Sequence, residues 1–474
     1  MKSNAQVTTR FVTRSRRALP STTALARIPF TPTSATLEAA IAAIGSDGSG
    51  SANDAATRRT AFSRYGDLPV PSGHPGRTWR YDYTKLTFDD LVWSTGRASV
   101  PTMPLSAAPA SEPDLDRPAL ATDNVGGLVH LGSILLEAPG RTALDERIVV
   151  TSLADAQIAH AELLAAVQHQ IVKPERDAFT ALATAFQNCG AFIYVPAGVQ
   201  LDAPIQLLFA SSDSVPAAVF PHVVIVLGEG ARATVIERHS GSGATFVCGI
   251  VEAHVGAKAQ LDLVTVQQAD EEARLFMTRA ARIENHGTMR THLAELGGAI
   301  ARSVLDADLS ASGATGEISA LFFTGGMQHV DLTTESLHAV GQTTSNVVVR
   351  SAATDRGQGR FFGNIRILPH SHGSEASLRD DVLLMSKHSH IDSIPALEIA
   401  ANDVRAFHGA TVGSLDEDQL FYALSRGISR PDALRMIALG FFEPVISRFP
   451  GEALRDEIRT ALDRKIDEAT EIDL

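Results

Sequence analysis

The stretch that decides the fold is NCGAFIYVPAGVQLDAPIQLLF, from Asn188 to Phe209, because it begins a long series of short apolar runs. The series continues with VVIVL at Val223 to Leu227 and ATVIE at Ala233 to Glu237, and it lasts until ASLRDDVLLM near Met385. Gly-containing turns separate the runs at intervals of roughly 10 to 15 residues. Runs of this length predict β-strands, and the intervals leave no room for the helical crossovers of βαβ units.

A β-solenoid and a large β-sandwich both fit this spacing. A solenoid stacks small apolar side chains coil on coil and tolerates polar outer faces, as the run ARSVLDADLSASGATGEISALF would allow. Aromatic residues make up only 6% of the chain, which is low for a sandwich core filled by large rings. The pattern therefore favours a right-handed parallel β-helix over a sandwich.

Sequence patterns typical of helices flank this core on both sides. Residues 1–53 are basic, rich in Ser and Thr and end in IGSDGSGSAN, which predicts a disordered tail and linker, with a transit peptide as the alternative. Residues 54–187 predict an N-terminal helical region that contains one long helix over 153–172. The β-helix core is predicted over 188–413 and a C-terminal helical region over 414–474.

Composition excludes several classes of protein. The 474 residues carry a net charge of -13, whereas a nucleic-acid-binding surface is usually basic, so we expect no nucleic-acid partner. No apolar run reaches the roughly 18 residues of a membrane span, which predicts a soluble protein. The two cysteines, Cys189 and Cys248, indicate a reducing compartment and are too few to hold an iron-sulfur cluster alone. No GxxxxGK[ST] loop occurs, so ATP must be handled by another chain.

Six segments stand in an order that a known family shares. They are RRTAFSRYGDLPVP with GRTWRYDYTKL (Arg58 to Leu86), the stretch Asn188 to Phe209, HVVIVLGEGARATVIERH (His222 to His239), QHVDLTTESLH (Gln328 to His338), GQTTSNVVVRSAATDRGQGRFFGNI (Gly341 to Ile365) and PALEIAANDVRAFHGATVGSLDEDQLFYALSRGIS (Pro395 to Ser429). In this order they resemble motifs of the SufB/SufD family of iron-sulfur cluster assembly proteins, and of its SufD branch in particular. The resemblance covers about Arg58 to Phe449.

The resemblance implies a parallel β-helix between helical regions and a role as a non-catalytic scaffold subunit of a SUF-type complex. It implies pairing with a SufB-like paralogue through the end of the β-helix. It also implies binding of a SufC-like ABC ATPase, which hydrolyses the ATP, through the C-terminal helices. No cofactor is expected to be bound permanently, although a transient iron-sulfur cluster could be shared with the partner. The expected location is the cytoplasm, or an organelle if the basic N-terminus is a transit peptide.

His408 is the principal candidate site residue. It lies in AFHGATVG, which is similar to the family motif CSHGATVG, whose histidine belongs to the interfacial cluster-assembly site. A neutral imidazole can ligate iron beside thiolates. The chain departs from the motif at Ala406 and Phe407, so no thiol adjoins His408 and the thiolates of a shared cluster must come from the partner. A core or turn histidine that is satisfied by backbone groups is the alternative interpretation.

The C-terminal helices carry the expected ATPase contacts. The segment from Leu434 to Ile446 is apolar around most of its circumference, which predicts cover by a partner, although packing on its own domain is an equal explanation. The candidate partner-binding residues are Leu420, Phe421, Leu434, Met436, Ile437, Phe441 and Phe442.

Other polar residues leave two further functions open. His370 with His372 and His388 with His390 could each offer two imidazoles from one strand face to a metal, or could simply be solvated. A β-helix can also support a carbohydrate-active enzyme, for which Asp306, Asp308, Asp380 and Asp381 are the available carboxylates. The third alternative is a structural solenoid that associates with itself end to end.

Overall fold

Two mainly parallel β-sheets, wound into a solenoid, form the centre of the protein in the computed structural model. The structure describes residues 27–46, 52–68, 83–94, 126–137, 147–212 and 217–469. Helices lie before and after the sheets. The predicted mainly β architecture, with a parallel β-helix between helical regions, is confirmed.

The strands are numbered in chain order. They are β1 (Arg27–Pro29), β2 (Val92–Ser94), β3 (Gly126–Leu131), β4 (Ile134–Glu137), β5 (Val149–Ser152), β6 (Cys189–Val195), β7 (Ile205–Ser211), β8 (Ala217–Val219), β9 (Pro221–Leu227), β10 (Arg232–Gly241), β11 (Phe246–Val255), β12 (Gln260–Ala269), β13 (Arg274–Ile283), β14 (Thr288–Glu295), β15 (Ile300–Leu309), β16 (Thr315–Thr324), β17 (His329–His338), β18 (Thr344–Ala353), β19 (Gln358–Ile367), β20 (Ser374–Leu384), β21 (His390–Ile399) and β22 (Val404–Ser414).

The helices are also numbered in chain order, and a single 3-10 turn covers Tyr83–Lys85. They are α1 (Ser34–Ser46), α2 (Ala52–Asp67), α3 (Leu153–Ala159), α4 (Ala161–Ala165), α5 (Ala178–Phe186), α6 (Glu417–Ser425), α7 (Arg430–Ile446) and α8 (Glu452–Glu468). None of the helices among the described residues combines the length and apolar composition that a membrane-spanning helix requires.

From β10 onward, successive strands alternate between a 12-stranded first sheet and a 10-stranded second sheet. Each strand pairs in parallel with the strand two positions further along the chain, so each coil adds one strand to each sheet. The register repeats from coil to coil: Val235 lies opposite Leu263, and Leu263 opposite Thr291. Alternate side chains therefore stack in columns inside the solenoid, in the space between the sheets that we call the lumen.

The described structure includes residues 27–46, which lie within the predicted disordered tail and linker of residues 1–53, while residues 1–26 and 47–51 lie outside the described residues. Helix α1 buries Leu37, Ala40 and Ile44 against an aromatic cluster at the first sheet, and these three side chains recur at helical spacing. The Ser/Thr-rich composition around α1 concealed this apolar stripe.

The predicted long helix over 153–172 is wrong. Helix α3 ends at Ala159, because His160 leaves the helical conformation (φ -134°, ψ 32°), and α4 ends at Ala165. Beyond it, the Glu252 carboxylate on β11 accepts hydrogen bonds from the backbone N–H groups of His169, Ile171 and Val172. These tertiary hydrogen bonds replace the helical ones that the local sequence would allow.

The C-terminal helices cover the outer face of the second sheet. Ile458 and Leu462 of α8 pack in one cluster with outward-facing residues such as Val264 and Phe323. Three of the predicted partner-binding residues are part of this internal packing, because Leu420, Leu434 and Phe442 are 2%, 6% and 0% exposed. The chain itself covers these three side chains, so they are not free to contact another protein.

Candidate functional site

The solenoid ends in two strands that have a neighbour on one side only. β21 is the last strand of the first sheet and β22 the last of the second, among the residues that the structure describes. Every residue of β22 from Phe407 to Ser414 is exposed. Unpaired backbone groups along an exposed edge are a template for pairing with another chain. We call β21 and β22 together the open end.

His408 lies in the middle of β22, opposite the buried Leu378 of β20. Because the side chains of stacked parallel strands share their direction, His408 stands on the lumenal side of the last coil. Phe407, its neighbour, points to the outer face and is 67% exposed. Over the described part of the chain we find no hydrogen bond to the His408 imidazole. Both ring nitrogens are therefore accessible to a ligand from outside this chain.

Neither cysteine can supply a thiolate at the open end. Cys189 and Cys248 are both buried, and burial raises the pKa of each thiol well above its usual range. Cys248 lies on β11, five strand spacings from β21 in the first sheet, which corresponds to about 24 Å. This chain therefore places no cysteine at the open end, and the partner thiolates expected from the sequence stay a prediction.

The two histidine pairs do not have the geometry that the metal interpretation assumes. His370 and His372 lie in the turn between β19 and β20, and His388 lies in the turn before β21. Only His390, the first residue of β21, is on a strand, and its Nε2 lies 2.8 Å from an oxygen of Asp392. Neither pair therefore presents two imidazoles from one strand face.

Two of the carboxylates considered for a carbohydrate-active enzyme are paired with arginines. Asp306 and Asp308 share the outer face of β15. Asp306 forms an ion pair with Arg176, and Asp308 lies 3.5 Å from the Nε of Arg282. Burial raises the pKa of Asp308, although Arg282 acts against this shift. Paired carboxylates on a strand face account for these residues without a catalytic role.

Asp380 and Asp381 are adjacent on β20 but face opposite sides. Asp381 points outward and accepts hydrogen bonds from Arg379 (3.0 Å) and Thr411 (2.6 Å). Asp380 points into the lumen beneath the open end, is 0% exposed, and has no hydrogen bond to either carboxylate oxygen. Burial raises the pKa of Asp380 to about 7, an effect that the nearby Ser393 hydroxyl opposes and Asp381 reinforces. Near neutral pH this carboxyl group therefore holds a proton part of the time.

The lumen also contains a charged network that the sequence analysis missed. Glu237 of β10 lies 2.8 Å from the Nε of Arg279 across the lumen and 2.7 Å from the Nε2 of His239. Its second oxygen also accepts a hydrogen bond from Thr265 (3.1 Å). Burial would raise the pKa of Glu237, but Arg279 and His239 outweigh it and lower that pKa. The sequence contained a signal for this network. Glu237 and His239 follow the apolar Val235 at intervals of two residues, so on a strand all three point to the same side.

A further group lies on the outer face of the first sheet. His169, His222 and Glu252 each present one possible metal-ligand atom, and these atoms lie within 4.8 Å of one another. His222 and Glu252 are 2% and 0% exposed, and the His222 Nε2 is 2.8 Å from a Glu252 oxygen. Burial and the neighbouring His222 lower the pKa of His169 to about 3. Of the described residues, this is the group whose donors could hold a metal ion.

A groove of about 490 Å³ separates the end of β22 from the C-terminal helices, and Met436, Ile437 and Phe441 of α7 contribute to its lining. Met436 is 53% exposed. Beside it, α6 exposes Phe421 (72%) and Tyr422 (59%) to solvent. We call these apolar side chains of the two helices the α6–α7 surface, and they are a candidate contact surface.

Comparisons with known proteins agree with this architecture. Residues 209–441 match the family described as "SUF system FeS cluster assembly, SufBD core domain", and residues 55–207 match "SufBD protein N-terminal region". An iron-sulfur cluster assembly SufBD family protein of Mycobacterium leprae is 30% identical over 265 residues, which are 55% of this chain and 30% of that protein. The corresponding proteins of Staphylococcus saprophyticus and Staphylococcus epidermidis are each 28% identical over 408 residues, or 83% of this chain and 85% of theirs.

Proposed function

The chain belongs to the SufB/SufD family of iron-sulfur cluster assembly proteins, and from this premise we propose that it is the SufD-type scaffold subunit of a SUF-type complex. It pairs with a SufB-like chain through the open end and binds a SufC-like ATPase through the α6–α7 surface. It catalyses no reaction itself, and the ATPase hydrolyses the ATP. The cluster is cargo that is built at the interface, and no cofactor is held permanently.

The observation that carries this proposal is the exposure of His408 in the middle of β22, an edge strand that is paired with β20 on one side only. The long edge of β22 offers backbone pairing, while the imidazole needs no displacement from an internal partner before it can ligate iron. Because no thiol of this chain is near, a cluster bound there requires cysteine ligands from the paired chain. This requirement makes the site incomplete without a partner.

The α6–α7 surface supports the ATPase part of the proposal. Phe421, Tyr422 and Met436 are exposed, whereas other apolar residues of the same helices, such as Leu420 and Phe442, pack against the chain itself. An exposed apolar helix surface of this kind fits docking into a groove of another protein. The expected location is the cytoplasm, where two buried and unpaired thiols stay reduced.

The test uses the full chain co-expressed with a SufB-like paralogue and a SufC-like ATPase and purified without oxygen. His408→Ala should form the complex in normal yield, yet should lose most of the iron and acid-labile sulfide that the wild-type complex gains on reconstitution. His388→Ala, which removes an exposed histidine from a nearby turn, is the matched control and should behave as wild type. An unchanged iron and sulfide yield in His408→Ala would rule out the role of His408.

A second variant in the same experiment tests the partner surfaces separately. Phe421→Asp places a charge on the α6–α7 surface and should remove the ATPase from the purified complex without affecting the SufB-like chain. Phe407→Asp at the open end should have the opposite effect. Loss of both partners in either variant, with normal folding by circular dichroism, would contradict the assignment of two distinct surfaces. Self-association of the wild-type chain into long polymers would instead support the structural solenoid.

A further inference from the structure

We propose that His169, His222 and Glu252 form a binding site for one divalent transition-metal ion, of the Zn²⁺ or Fe²⁺ class. Two imidazoles and one carboxylate are the protein ligands of open three-ligand zinc sites and of mononuclear non-haem iron sites. The site lies on the outer face of the first sheet, whereas His408 lies at the end of the second sheet. It is therefore separate from the proposed cluster site.

The carboxylate is held in place before any ion arrives. One oxygen of Glu252 accepts a hydrogen bond from the backbone N–H of His169 at 2.6 Å. The other accepts hydrogen bonds from the N–H groups of Ile171 (2.9 Å) and Val172 (3.0 Å). Ligating carboxylates are commonly fixed by such outer hydrogen bonds. An ion that replaces the hydrogen bond between the His222 Nε2 and Glu252 would leave all three backbone hydrogen bonds to Glu252 intact.

The two histidines have unused ligand capacity. The Nδ1 atoms of His169 and His222 are buried and have no hydrogen-bond partner. A buried imidazole nitrogen without a partner loses its hydration for no return, and an ion bound at the Nδ1 of His169 would offset this cost. His222 would ligate the same ion through the Nε2 that now lies against Glu252. The two rings are tilted to each other, with their centroids 4.8 Å apart.

The backbone at His169 brings its ring to this place. His169 has φ +61°, a left-handed conformation that few residues other than glycine and asparagine adopt readily.

The distances between the three ligand atoms fit the binding of an ion if the His169 side chain alone moves closer to the other two. Ligand atoms around a tetrahedral zinc ion lie about 3.3 Å apart. The 2.8 Å separation of His222 and Glu252 is already close to that value, and His169, the least buried of the three, has only to rotate inward.

The nearby cation Arg58 does not occupy the space between the three ligand atoms. Arg58 is close enough to act on the pKa of His169, but its guanidinium is bound by Asp54 at 2.6 Å and by the carbonyl of Gln187 at 2.7 Å. His169 is only partly buried, so an ion can reach the group from solvent without unfolding of the sheet.

The test measures binding of Zn²⁺, and of Co²⁺ as a spectroscopic probe, to the purified full chain after treatment with a chelator. We expect one equivalent of tightly bound ion and the visible absorption of Co²⁺ with nitrogen and oxygen ligands. His169→Asn keeps a residue that tolerates positive φ but removes the imidazole. It should weaken binding at least on the order of 100-fold, the upper end of what loss of an outer partner costs.

His408→Ala serves as the control and should bind the ion as tightly as wild type, which separates this site from the cluster site. His222→Gln is the second ligand variant, and unaltered circular dichroism should accompany its loss of binding. Absence of a stoichiometric site in the wild-type chain would overturn the proposal. Equal Zn²⁺ affinity and an equal Co²⁺ spectrum in wild type and His169→Asn would overturn it as well.

Discussion

Replacing Asp380 by asparagine should remove a pH-dependent loss of stability that originates in the lumen. The side chain is 0% exposed, and neither of its carboxylate oxygens has a hydrogen bond. Burial raises its pKa from 3.8 to about 7. Because the folded-state pKa lies above the unfolded one, the unfolded chain releases this proton more readily. The stability that the proton contributes is complete below pH 4, declines as the pH rises, and is lost above about pH 7.

The size of the effect follows from the two pKa values. One pH unit corresponds to about 1.4 kcal/mol, so the free energy of unfolding should fall by this amount per unit between about pH 4 and pH 7. The full penalty on the ionised carboxylate is then about 4 kcal/mol. Asparagine cannot ionise. The free energy of unfolding of Asp380→Asn, relative to that of wild type, should therefore increase by about 2 to 3 kcal/mol between pH 5 and pH 8.

Urea unfolding of both proteins at a series of pH values from 5 to 8 measures this difference, and the titration of all other groups cancels between them. Asp381→Asn is the neighbouring control. Burial acts to raise the pKa of Asp381, but hydrogen bonds from Arg379 and Thr411 lower it overall. Asp381 is therefore ionised throughout this range, and Asp381→Asn affects the pH dependence only through its smaller effect on the pKa of Asp380. Its offset from wild type should therefore vary much less with pH than that of Asp380→Asn. A constant offset for Asp380→Asn would refute the reasoning.

Two further variants test the packing of the solenoid. Arg279→Met leaves the buried Glu237 carboxylate without its guanidinium partner and should destabilise the fold by about 3 to 5 kcal/mol. The double variant with Glu237→Gln should recover most of that loss, and equal melting temperatures for the single and double variants would contradict this pairing. Gly190→Ala should destabilise by several kcal/mol, on the order of other strained backbone sites, because a Cβ there would lie 1.9 Å from the carbonyl oxygen of His222 and the residue has φ +146°. Wild-type stability of Gly190→Ala would show that the two strands can separate at that point.

The solenoid was predictable from sequence because its signals are local. Short apolar runs and glycine turns recur with every coil, and each coil repeats the same alternation of inward and outward side chains. The region before it was harder to predict. The segment after α4 leaves the helix in a series of turns because Glu252, about 80 residues away, accepts its backbone N–H groups, and no local pattern contains that information.

The candidate sites were predictable to different degrees. His408 was singled out through its motif and stays a prediction, to which the structure adds that it is exposed on the edge strand β22. The apolar α7 segment predicted a contact surface, but periodicity could not tell Met436, which is exposed, from Phe442, which is buried. His169, His222 and Glu252 come from a loop and two different strands, so only the folded chain brings them together.

The repeating register also limits how the molecule can change in length. Stability in a solenoid grows with every added coil, so packing alone sets no upper limit to the number of coils. One more coil would move His408 about 4.8 Å further from the N-terminal strands and turn its strand by about 20° relative to α6. Any protein that must touch the last strand and α6 at the same time would then be misaligned. If the two proposed surfaces bind their partners in one complex, the number of coils therefore fixes the distance that those partners have to span.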